Sequence, residues 1–167
     1  MIPSSVILMG VSGCGKTRVG EMLAKKIGGV FEDADHFHTE AAKDKMRSGT
    51  PLTDEDRWPW YARLRARILE MRAITPHYVL ACSALKQVYR DRLREGDGPE
   101  ELVIVFLDGS FELIQARMAR RQGHYMPLSL LESQFATLER PADALRISID
   151  QTPGQIVGDI RSQLSKS

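Results

Sequence analysis

The sequence predicts an α/β fold in which a parallel sheet is covered by helices on both faces. Apolar runs of strand length recur at Val6 to Met9, Tyr78 to Cys82 and Val103 to Leu107, and amphipathic stretches at helical spacing separate them. The octapeptide Gly10-Val11-Ser12-Gly13-Cys14-Gly15-Lys16-Thr17 follows the first run directly and fits G-x-x-x-x-G-K-[ST] at every fixed position. Val19, Met22, Leu23 and Ile27 then share one helical face, with Gly28-Gly29 as a stop, so strand, glycine loop and helix read as one unit.

That loop has a defined chemistry. Its glycines let backbone N–H groups converge on phosphate oxygens at a helix N-terminus, where partial positive charge already favours an anion. In this pattern Lys16 reaches the β and γ phosphates of a nucleotide, and the Thr17 hydroxyl ligates Mg²⁺.

Composition narrows the rest. At 167 residues the chain has room for one domain, 1–167, and no second catalytic one. Lys and Arg number 23 against 22 Asp and Glu, so no bulk field draws the chain to nucleic acid or an anionic membrane. No apolar run approaches the roughly 20 residues of a membrane span, and the N-terminus lacks the features of a secretion signal. The expected compartment is the cytoplasm. Cys14 and Cys82 are the only cysteines, too few for a disulfide framework. Cys14 lies inside the phosphate loop, where it either packs away from the nucleotide or forms a reactive thiolate.

The remaining elements follow in order. Val30-Phe31 and Leu145 to Ile149 are short candidate strands, and Glu95 to Glu101 is a loop. Asp33 and Asp35 fall just past the second strand, on the side where open parallel sheets bind ligands. Alternating along an extended segment, they would share one face, and one carboxylate there could orient and deprotonate an acceptor hydroxyl. Thr39 to Arg47 reads as a polar helix ending at Gly49. Thr53 heads the acids Asp54-Glu55-Asp56 as a helix cap, although Pro59 obscures the start. Beyond it Tyr61, Leu64, Ile68 and Met71 form an apolar stripe, Trp58 and Trp60 are packing residues, and Arg63, Arg65, Arg67 and Arg72 make a solvated face.

After the third strand, Ser83 lies on the ligand side, and Lys86 and Arg90 are candidate anion contacts. Ser110 to Arg121 is a helix with a basic end, Arg117, Arg120 and Arg121. The Gly123 and Pro127 beyond it suggest a mobile flap whose arginines close on a transferred phosphoryl group. Leu128 to Leu138 is the helix that returns from it.

With these segments in view, the chain resembles the bacterial-type gluconate kinases of the small P-loop kinase fold. The resemblance rests on Gly10 to Thr17, Asp35 with His38, Lys45-Met46 through Pro51-Leu52, Asp54 to Arg57 with Pro59-Trp60, Cys82 to Lys86 with Tyr89-Arg90 and Leu93-Arg94, Gly123-His124, and Ser133 to Phe135 with Thr137 to Glu139. It implies a five-stranded parallel sheet, with the second and third strands on one side of the first, and a lid over about 117–136. It implies transfer of the ATP γ-phosphoryl group to the 6-hydroxyl of D-gluconate, with Mg²⁺ required, and suggests a homodimer. By similarity to the related shikimate kinases, Asp35 would act on the acceptor hydroxyl and Asp33 would hold a water on the metal. His38, Arg57, Ser83, Lys86, Arg90 and His124 fall on the acceptor side, and Arg117 and Arg121 look like lid arginines. One departure stands out: many relatives carry Asn where this chain has Ala42.

Two rivals share these features. A kinase for another small hydroxy acid, such as shikimate, differs only in its acceptor site. A non-catalytic ATP-binding regulatory protein would have no acceptor at all.

Overall fold

A computed structural model describes residues 1–120 and 127–166. Five strands form one parallel sheet: β1 (Ser5–Met9), β2 (Val30–Asp33), β3 (Tyr78–Ala81), β4 (Leu102–Asp108) and β5 (Leu145–Ser148), in the order β2-β3-β1-β4-β5. The second and third strands lie on one side of the first, as the resemblance implies. The registers Ile7 with Leu80 and Ile7 with Ile104 keep three central strands level, so their carboxyl ends open on one edge.

Alternation along the strands builds two cores. Val6, Leu8, Val79, Val105 and Leu107 face α1 (Lys16–Ile27) and α7 (Pro153–Ser165), packing on Leu23, Ile156 and Ile160. Ile7, Met9, Tyr78, Leu80, Ile104 and Phe106 face the other way, toward Trp60, Leu64 and Ile68 of α3 (Asp54–Arg72) and Tyr89 and Leu93 of α4 (Gln87–Arg94). The central strands are buried on both faces and need no polar side, so they read as continuous apolar runs.

The edge strand β2 is covered less deeply: Val30 is exposed, and Phe31 packs partly buried against Gly20 of α1. Charge adds to its hold: Arg67 grips Glu32 with Nε and Nη2 at 2.8 and 2.9 Å, and Tyr78 donates to the same carboxylate at 2.8 Å. A second tie fixes the loop after α4, where Arg65 and Arg72 both bind the buried Asp97. Three of the helix-face arginines therefore have fixed carboxylate partners.

Between β2 and α3 lie a 3₁₀ turn (Ala34–Phe37) and α2 (Glu40–Arg47), capped by Thr39. Pro59 does not delay α3. Thr53 and Asp56 form a reciprocal capping box, and the helix runs through the proline from Asp54. After β4 come α5 (Phe111–Ala119) and α6 (Leu128–Thr137).

Candidate active site

The glycine loop bends from β1 into α1 through backbone that side chains resist. Gly13 sits at φ +85, and a Cβ there would come within 2.8 Å of Met118 Sδ; at Gly10 it would meet Cys14 Sγ at 2.7 Å. Lys16 curls over the loop and donates to the Gly10 and Val11 carbonyls at 2.9 and 3.2 Å. The Gly10 N–H in turn binds the Ser83 carbonyl, tying the loop to the end of β3. Cys14 is buried in the α1-side core, which takes from it the exposure that a reactive thiolate requires.

One contact here was not foreseen. Gln134 of α6 accepts the Ser12 N–H at 2.6 Å and donates to Ser12 Oγ at 2.9 Å, a two-bond clasp on the phosphate loop. Helical periodicity reports only that Gln134 is polar.

The acidic pair is assembled by a turn. Asp33 ends β2; the chain then turns into the 3₁₀ segment, so the two carboxylates do not alternate along one extended face. Asp33 Oδ1 accepts the Asp35 N–H at 2.9 Å, which caps that turn, and Oδ2 accepts the Thr17 hydroxyl at 3.1 Å. Asp35 stands on the open side with 79% of its side chain accessible. The cleft walls still crowd its carboxyl, and this partial desolvation, followed by the Asp33 charge, raises its pKa above the ordinary value. Behind it His38 is nearly covered, stacked on Trp60 with ring centres 4.0 Å apart, its Nε2 3.8 Å from Asp35 Oδ1. Burial lowers the His38 pKa, with Asp35 opposing. The Trp60 indole N–H donates to the Ala34 carbonyl at 2.8 Å and fixes the stack.

Lys16, Thr17, Asp33, Asp35, Ser12 and Ser83 line one cavity of about 210 Å³ at the carboxyl end of the sheet. Beside it lies a second group. Tyr89 donates to Asp54 Oδ1 at 2.5 Å and accepts from Arg57 Nη1 at 3.3 Å, while Lys86 Nζ lies 3.5 Å from the same carboxylate. Both cations sit over the Tyr89 ring, at 5.7 and 5.5 Å. Arg57 and Lys86 are thus brought together through Asp54, which the sequence offers only as a helix-start acid, and Tyr89, which it offers only within a resembling segment.

Arg90 is not an anion contact. It is 1% exposed and spends its hydrogen bonds on the Ala84 carbonyl, the Glu139 carbonyl and Gln87 Oε1. Arg117 is also displaced from its expected place: Nη2 donates to the Ile149 carbonyl at 2.6 Å, and the residue lines a separate cavity of about 340 Å³ with Gln151 and Pro153. Gly13, Gly15 and Arg18 line both cavities, so the phosphate loop runs between them. Arg121 and His124 lie outside the described residues, with the rest of the segment 121–126 of the expected lid. Ala42 is buried in α2, its N–H held by Thr39.

The shikimate kinase family model matches residues 12–152. A probable gluconokinase of Xenopus tropicalis is 41% identical, over 96% of this chain and 93% of its own length. The thermosensitive gluconokinase of Escherichia coli K12 is 42% identical, over 96% and 87%. Among solved structures, a gluconokinase from Sinorhizobium meliloti 1021 superposes with a TM-score of 0.87 at 42% identity, covering 99% of this chain and 93% of that one.

Proposed function

The chain belongs to the gluconokinase family of P-loop kinases, and we propose that it transfers the γ-phosphoryl group of ATP to the 6-hydroxyl of D-gluconate, giving 6-phospho-D-gluconate and ADP. The observation that carries this reading is the shared cavity in which the phosphate-loop Lys16 and Thr17 face Asp35. There a donor phosphate held by the loop and an acceptor hydroxyl held by the carboxylate can meet. The regulatory reading has no use for that carboxylate.

The phosphate chain of ATP lies along the loop, with the base in the cavity of Arg117 and Pro153 and the γ end in the cavity of Asp35. This assignment moves Arg117 from the transferred phosphoryl group to the base. Loop amides and Lys16, freed from its carbonyls, take up the phosphoryl charge as it develops. Asp35 accepts the proton of the 6-hydroxyl and orients its oxygen toward the phosphorus. Its raised pKa brings its basicity nearer the operating range. His38 behind it keeps the carboxyl aimed. Arg57 and Lys86 offer two cations to the gluconate carboxylate.

Mg²⁺ fits the oxygen donors present, the Thr17 hydroxyl with Asp33 3.1 Å away, and when bound it neutralises phosphate charge. Residues 117–136 serve as the lid that excludes water, with Arg121 and His124 within it, because an open site would pass the phosphoryl group to solvent. The compartment proposed with this reading is the cytoplasm, where ATP is available, and the assembly is the homodimer that the resemblance suggests. Phosphorus and carbon NMR of the product tests the reaction. A single phosphate monoester on C6 is the expected result; phosphate on another carbon, or inorganic phosphate alone, would overturn it.

A further inference from the structure

Arg90 is the largest fully buried side chain of the described residues, yet its hydrogen bonds all reach neutral oxygens. A guanidinium taken out of water needs a purpose that carbonyls can satisfy, and its planar fork suits it to hold several at fixed angles. The first carbonyl belongs to Ala84, which is fully buried at φ +43, a left-handed conformation that a residue with a Cβ resists. Nη1 donates to it at 2.7 Å. The second belongs to Glu139, just beyond α6, at 2.8 Å from Nη2.

Glu139 is tied to the same loop twice more. Its N–H donates to the Leu85 carbonyl at 2.8 Å, and its carboxylate accepts the Gln87 N–H at 2.8 Å, filling an orphan position at the start of α4. All of these bonds close on residues 84 to 90, the stretch that carries Lys86 and follows Ser83.

We propose that Arg90 is a positioning residue for acceptor recognition: it holds the Ser83–Lys86 loop in its left-handed turn and locks it to the segment that returns from α6. The inference rests on the gluconate reading for its substrate, and on geometry alone for the loop. Arg90 touches no substrate. It sets where Lys86 and Ser83 stand, as a lysine could not, because one ammonium cannot span both carbonyls in a plane.

The test compares Arg90→Lys with the wild type, and with Arg90→Lys carrying Ala84→Gly. In Arg90→Lys the KM for gluconate rises about tenfold while the KM for ATP stays within about twofold, a split that general destabilisation does not produce. Amide hydrogen exchange of residues 83–87 quickens in the same variant. Glycine adopts the left-handed turn without strain, so Ala84→Gly restores much of the gluconate KM. Equal rises in both KM values, an unchanged gluconate KM, or no recovery with Ala84→Gly would each overturn the proposal. If Arg90→Lys does not fold, the exposed Glu139→Ala takes its place: it removes the carboxylate bond to Gln87 but keeps the carbonyl that Arg90 holds, so a gluconate KM within about threefold of wild type is expected, and a rise of about tenfold would put the lock on the carboxylate and contradict the role of Arg90. Wild-type enzyme that ignores gluconate would sink the substrate reading instead, and the exchange measurement, which needs no acceptor, would still judge Arg90.

Discussion

The Thr17 hydroxyl and the Asp33 carboxylate meet at 3.1 Å across the gap between α1 and the end of β2. This contact joins the metal end of the phosphate loop to the acidic turn, because the other Asp33 oxygen caps the N–H of Asp35. Asp33→Asn keeps an acceptor for that cap but removes the charge beside Thr17. Outer partners of a metal site typically carry a factor of about 10–100 in affinity, so the Mg²⁺ needed for half-maximal activity rises by that order. A Mg²⁺ titration of initial rates checks it; an unchanged midpoint separates Asp33 from the metal.

Asp35→Asn lowers kcat by about 10²–10⁴, the usual worth of a positioned general base, with little change in ATP affinity. Steady-state rates beside equilibrium binding of a non-hydrolysable ATP analogue measure both. Similar turnover in the variant removes Asp35 from its role.

The raised pKa of Asp35 has a sign that pH can read. The carboxylate must be ionised to accept a proton, so kcat/KM for gluconate falls as pH drops through its pKa. Asp33 is the second cause of the elevation, after desolvation. Removing that charge in Asp33→Asn lowers the Asp35 pKa and moves the acid limb to lower pH. A limb that stays put, or moves upward, contradicts the assignment.

Gln134→Ala opens the clasp on Ser12. Two net hydrogen bonds of about 1 kcal/mol each are at stake, so the KM for ATP rises by up to about 30-fold, with the gluconate KM little changed. A larger effect on gluconate would place Gln134 elsewhere in the mechanism.

Stability has its own pH signature at Asp97. Burial would raise its pKa, but hydrogen bonds and charge from Arg65 and Arg72 outweigh it and hold the pKa at about 2, below the ordinary 3.8. A depressed carboxylate contributes stability above its unfolded pKa and loses it as pH falls through the folded one. The loss therefore spans about pH 4 to pH 2. Asp97→Asn, which leaves two arginines without their charge partner, costs about 3–5 kcal/mol at neutral pH and flattens that limb. Denaturant unfolding from pH 2 to 7 measures both.

The fold was legible because its central strands are apolar on both faces and its nucleotide loop has a fixed spacing. Even the strand order followed from the resemblance carried by Asp54 to Arg57 and Cys82 to Lys86. Arg90 was misread for a physical reason: an arginine near a ligand edge is ordinarily an anion contact, and only three-dimensional packing reveals that its partners are carbonyls. Arg117 was misplaced because a helix end says nothing of which side of the loop it faces. Gln134 and Glu139 act through contacts 122 and 52 residues away in sequence, which no periodicity encodes. Asp54 carried a signal of its own as a capping acid and Tyr89 stood only within a resembling segment, and neither pointed to the hydrogen bond between them.

The most direct test is release of ADP from ATP and Mg²⁺ by the purified protein, without acceptor and with D-gluconate, other sugar acids, shikimate or nucleoside monophosphates. Strong stimulation by D-gluconate, with little by the others, is the predicted result. Stimulation by a different acid alone, or by none of them, would contradict the gluconate assignment.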